Sequence, residues 1–147
     1  MARNYKQGIY TPKNPNKYRG NSDNIVYRSS WELRVFKWMD DNPSVLEWAS
    51  EECVIPYKSP VDLKLHRYFP DIWAKVLGVD GRTKTYLLEI KPEAQANEPK
   101  VKKRITKQYI NEVCTYAINQ AKWKAARSYC LDRKWEFKVL TEKDLGI

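Results

Sequence analysis

The first 24 positions show little hydrophobic rhythm; Asn, Lys, Tyr, Gly and Pro dominate, as in Tyr10-Thr11-Pro12-Lys13-Asn14-Pro15. They read as an extended arm, with the folded domain spanning residues 25–147. From Ser29, the side chains Trp31, Val35, Trp38 and Met39 recur at helical spacing as far as Asn42-Pro43, which predicts an amphipathic helix. Short apolar runs at 45–49 and 54–57 predict strands, the second at a sheet edge because Pro56 cannot donate to a ladder. Residues 67–77 and 84–91 flank the turn 78–82 and predict an antiparallel hairpin. After a break at 92–99, Ile105, Tyr109, Val113, Tyr116, Ile118, Ala121 and Ala125 form the stripe of a long helix over about 101–131. The run Trp135-Glu136-Phe137-Lys138-Val139-Leu140 alternates as a strand. It would lie parallel to 84–91 through a right-handed strand–helix–strand crossover. The predicted order is roughly α-β-β-β-β-α-β, an α/β domain with a central mixed sheet flanked by helices.

The chain's 147 residues fit one domain with a single core. Apolar residues make up 42%, including six Trp and ten Tyr, enough to fold, so disorder throughout is excluded. The apolar surroundings of Trp48, Trp73, Trp123 and Trp135 mark them as core, whereas Tyr5, Tyr10 and Tyr18 in the arm fit packing on the domain or docking on a partner. No stretch approaches the roughly 20 apolar residues needed to cross a bilayer, and the N-terminus lacks a signal core, so a cytosolic protein is expected. Cys53, Cys114 and Cys130 are scattered and odd in number, which fits reduced, mostly buried thiols better than a zinc site or disulfide framework.

The net charge of +9 is unevenly spread: +5 over residues 1–30, −2 over 31–97 and +6 over 98–147. Basic flanks suit a polyanion, since each neutralised phosphate releases a condensed counterion. Charge alone does not separate this from a solubilising surface.

The acidic middle contains the candidate chemistry. Glu89 and Lys91 sit two apart on a strand and project to one face, while Asp71 can stand beside them from the adjacent strand. Two carboxylates converging at a sheet edge repel each other and lose hydration, which a hard divalent cation offsets. Lys91 would orient the nucleophile and stabilise the extra charge of the transition state. An acid-x-lysine triplet is by itself common and reads equally as an exposed ion pair. Here it follows the apolar run Tyr86-Leu87-Leu88 and precedes Pro92, while Asp71 lies between Tyr68-Phe69-Pro70 and Ile72-Trp73. Ionised carboxylates in such surroundings are costly without a task.

Phe69-Pro70-Asp71 followed by Leu88-Glu89-Ile90-Lys91-Pro92 resembles the core of the PD-(D/E)XK nuclease superfamily. With Tyr27-Arg28-Ser29-Ser30-Trp31-Glu32 added, the chain from about 27 to 145 resembles the endonuclease subunit of heteromeric transposases and, above all, the head-completion nucleases of tailed phages. The resemblance implies a restriction-endonuclease-like fold and a metal-dependent DNA endonuclease. Asp71 and Glu89 would hold Mg²⁺, with Mn²⁺ as substitute; Lys91 would be the catalytic lysine and Glu32 a further acid at the metal. Ser29-x-x-Glu32 also reads as a helix capping box, and both readings stand. Arg28, Lys100, Lys102, Lys103, Arg104 and Lys107 are candidate phosphate contacts, against a plain solvated surface. His66 has no place in the pattern.

The partners implied are DNA, read without base specificity, and phage portal or neck proteins; a homodimer is left open. The place of action implied is the host cytoplasm and the virion head or neck. Two rivals are a structural head or neck protein with a silent nuclease fold, and a transposase-type subunit active only with its partner.

Overall fold

The computed structural model describes residues 7–147; Tyr5 of the basic arm lies outside the described residues. The chain runs through β1 (Gly8–Tyr10), a 3-10 turn (Pro15–Lys17), β2 (Ile25–Tyr27), α1 (Ser30–Asp41), β3 (Val45–Ser50), β4 (Ile55–Lys58), β5 (Leu65–Tyr68), β6 (Ile72–Leu77) and β7 (Thr83–Ile90). It continues through α2 (Glu93–Ala96), α3 (Lys107–Arg133), β8 (Glu136–Leu140) and α4 (Glu142–Leu145).

The central sheet has the order β3-β6-β7-β8, antiparallel except for the β7–β8 pair, which is parallel and joined through α3. Strand alternation divides its side chains between two cores. Ile72, Ala74 and Leu88 pack with Val35, Phe36 and Met39 of α1 on one face. Leu87, with Trp73, Phe137 and Val139 beside it, packs against Trp123, Ala126 and Cys130 of α3 on the other. All four Trp residues assigned to the core lie in or against these clusters.

The hairpin expected from 67–77 and 84–91 is present, but its first strand is broken. Residues 65–68 pair with β4 in a separate two-stranded sheet, and only from Ile72 does the chain join β7. Pro70 explains the break: it lacks an N–H for the ladder and restricts Phe69 before it. The long helix begins at Lys107 rather than near 101, because Thr106 takes the cap, its Oγ1 accepting from Tyr109 N at 3.1 Å. The break before it contains the short α2.

From Gly8 onward, the segment read as an extended arm belongs to the body of the domain. β1 pairs antiparallel with β2, and Tyr10 and Tyr18 are buried around Trp48. The fully buried Asp40 pins it: Oδ2 accepts from Tyr10 OH at 2.6 Å and Lys13 N at 2.7 Å, and Oδ1 accepts from Asn14 N at 3.0 Å. A Cβ at Gly8 would fall 2.5 Å from the Tyr27 hydroxyl, so a larger residue there would have to push the end of that side chain aside. Tyrosines spaced without periodicity give no local signal, yet their burial dominates once a sheet and helix supply a surface.

Candidate active site

The site forms where β6 begins and β7 ends. The pairing Ile72↔Leu88, carried one residue outward, sets Asp71 opposite Glu89. Both lie on the α3 side of the sheet, since Trp73 and Leu87 face α3 while Ile72 and Leu88 face α1. Asp71 Oδ2 accepts from Ile90 N at 2.7 Å, fixing the aspartate to the strand that carries the glutamate. Its main-chain carbonyl accepts from Glu51 N at 3.2 Å, tying it to the end of β3.

Glu89 is only 7% exposed. Its Oε1 accepts from Tyr68 OH at 2.6 Å, and its Oε2 stands 3.7 Å from Lys91 Nζ, an ion pair too long for a hydrogen bond. Lys91 N donates to Leu140 O at 2.9 Å, so β8 holds the lysine backbone in place. Asp71, Glu89 and Lys91 are therefore brought together.

The electrostatics match a strained acidic pair. Burial raises the Asp71 pKa well above the usual carboxylate value, and the Glu89 charge raises it further, against the pull of Ile90 N–H. Burial also raises Glu89, opposed by Tyr68 OH, Lys91 and Lys122. Glu89 is buried, Asp71 is partly buried, and the two carboxylates repel each other, the condition a bound cation relieves.

Glu32 stands at the start of α1, where Ser29 caps the helix: Ser29 Oγ accepts from Glu32 N at 3.1 Å and donates to Glu32 Oε2 at 3.3 Å. Burial raises the Glu32 pKa, followed by the nearby Glu51. Its charge is felt by Asp71, so it belongs to the same neighbourhood. Among the described residues, no three His, Cys, Asp or Glu side chains converge tightly enough to enclose an ion. The structure thus places two carboxylates at the centre and Glu32 beside them on its cap.

The candidate phosphate contacts divide into two groups. Arg28 lies beside the site but is engaged, its Nη1 donating to Glu51 Oε2 at 2.6 Å. Lys100, Lys102, Lys103 and Arg104 occupy the exposed loop before α3, and Lys107 opens that helix. Lys102 stands 3.7 Å from Glu112 and over the Tyr109 ring. His66 pairs with Asp62 at 2.7 Å on the exposed hairpin.

Two side chains at the site escape the sequence pattern. Tyr68 ends β5 and reaches Glu89 only because the chain folds back at Pro70. Lys122 lies on α3 between the buried Asn119 and Trp123, half-buried itself; burial lowers its pKa, and the fields of Lys91, Glu89 and Asp71 all reach it. The available signal was a lysine set among apolar-stripe positions, which solvated helices also show.

The donor set fits a hard divalent cation. Mg²⁺ keeps several waters and needs only one or two carboxylates besides phosphate oxygen, and the second Asp71 oxygen accepts no hydrogen bond among the described residues. No helix among the described residues is long and apolar enough to cross a membrane.

Comparison with known proteins agrees with this geometry. Residues 42–142, covering β3 through β8, match the family model described as TnsA-like endonuclease N terminal. The chain is also 41% identical over 142 residues to the "Head completion nuclease" of Enterobacteria phage T4, covering 94% of this chain and 92% of that protein. With this sheet, its acidic pair and its lysine inside the matched segment, the chain belongs to the TnsA-like endonuclease family.

Proposed function

We propose that this endonuclease hydrolyses phosphodiester bonds of DNA with Mg²⁺, Mn²⁺ serving as a substitute, and that it acts in completing phage heads after packaging. The observation that carries the reading is the facing pair of Asp71 and the buried Glu89, both pushed toward protonation, with Lys91 alongside. Asp71 and Glu89 would hold the ion, which when bound polarises the phosphate and acidifies the attacking water. Ile90 N–H and Tyr68 OH keep the two carboxylates in place. Lys91 orients the nucleophile and offsets the charge that builds on the phosphate. Glu32, at the capped start of α1, would be a further acid at the ion.

DNA is taken by its backbone. The exposed cations from Lys100 to Lys107 supply phosphate contacts without base readout. The 41% identity to a head-completion nuclease supports a role in virion assembly in the host cytoplasm; portal or neck proteins would be its partners there.

The test is incubation of purified protein with supercoiled plasmid and Mg²⁺, beside folded Asp71→Ala, Lys91→Ala and Glu32→Gln variants. Loss on the order of a thousandfold is expected for the first two, and about 10- to 100-fold for Glu32→Gln, as for a further acid at a metal site. Equal cutting by wild type, Asp71→Ala and Lys91→Ala would sink the proposal.

A further inference from the structure

One cation at the site has no task in the reading above. Lys122 is carried on α3 against the β4–β5 hairpin, and its ammonium lies 5.9 and 5.6 Å from the ring centres of Tyr57 and Tyr68. These rings share one face of the hairpin, since Tyr57 pairs with His66 and Tyr68 with Ile55 across the two strands. Tyr68 is itself anchored to Glu89 by its hydroxyl. The ammonium thereby lies over two aromatic rings, within the fields of Lys91, Glu89 and Asp71.

Among the described residues, the groups within hydrogen-bond or ion-pair range of the two carboxylates are Ile90 N–H, Tyr68 OH and Lys91 Nζ; Lys122 is not among them. Among the described residues no hydrogen bond or ion pair engages the Lys122 ammonium, and it is not sealed from solvent, so its three donors stand open to the acceptors of an arriving ligand. A phosphodiester approaching Asp71 and Glu89 meets two negative charges, and Lys91 is already drawn to Glu89. A second point charge at this spot suits a phosphate oxygen.

We propose that Lys122 is a phosphate-binding residue of the active site, its ammonium taking a non-bridging oxygen of the backbone phosphate seated at Asp71 and Glu89. This rests on the nuclease reading and divides the labour within it: Lys91 serves the nucleophile and Lys122 the phosphate.

The experiment uses Lys122→Met, which keeps an unbranched stem, with Lys122→Gln as a second neutral variant and Lys122→Arg to restore charge. Duplex DNA binding is measured in Ca²⁺ across a salt series, and single-turnover cutting in Mg²⁺ at saturating protein. A lost phosphate contact lowers the slope of log affinity against log salt by about 0.9. That drop is expected in the neutral variants, with cutting slowed about 10- to 100-fold, and Lys122→Arg should recover the slope. An unchanged slope in a folded neutral variant, even with slower cutting, overturns the proposal, because the ammonium then acts only by balancing the carboxylates. Wild type that cuts alongside equally active Lys122 variants defeats this assignment alone; wild type that neither binds nor cuts DNA defeats the nuclease reading with it.

Discussion

The Tyr68 hydroxyl donates to Glu89 Oε1 at 2.6 Å in a buried setting, linking the separate β4–β5 hairpin to the end of the central strand β7. That bond favours the ionised carboxylate against the burial that opposes it. Tyr68→Phe removes the donor and leaves a buried oxygen without it. Glu89 is then harder to ionise, so the acid limb of the cutting rate against pH moves to higher pH. Folding stability should fall by about 1–3 kcal/mol, as for other buried groups left unsatisfied. Rate profiles and denaturant melts on the two proteins check both effects.

Asp71 links the site to stability. Its folded pKa is raised, first by burial and then by Glu89, so between the unfolded and folded values the native state holds a proton that the unfolded chain has lost. The stabilising contribution is present in full below the unfolded pKa and is lost as pH rises through the folded one. Asp71→Asn removes this penalty. In chelator, the variant should melt higher than wild type, by more at pH 8 than at pH 5. Mg²⁺ should raise wild type and not the variant. Thermal melts at the two pH values, with and without Mg²⁺, give the answer; a gain that does not grow with pH would contradict the raised value.

The loop before α3 tests the DNA reading independently of catalysis. Lys100, Lys103 and Arg104 are exposed, and neutralising all three should leave melting unchanged, since exposed charges contribute little to folding. If each meets a phosphate, the salt slope of DNA binding should fall by about 2.7, at roughly 0.9 per contact. A slope within experimental error of wild type would assign these cations to solvent alone.

The sequence by itself determined the local elements and the pairing at the heart of the site. Alternation at Trp135 to Leu140, helical spacing in α1 and α3, and the turn at 78–82 are short-range patterns set by backbone geometry. The i, i+2 spacing of Glu89 and Lys91 placed them on one face, and a hairpin sufficed to bring Asp71 alongside. The resemblance carried by Phe69-Pro70-Asp71 and Glu89-Ile90-Lys91 pointed to the endonuclease family that the comparisons establish.

Only the tertiary structure decided what depends on distant surfaces. Tyr10 and Tyr18 entered the core because Trp48, Phe36 and the buried Asp40 offered them ring contacts and an acceptor. Tyr68 and Lys122, 54 positions apart, came together beside Glu89 because Pro70 turned β5 onto its own hairpin and α3 crossed behind the sheet. No local period encodes such meetings; they arise when long-range burial and charge are settled together, after the chain has folded around them.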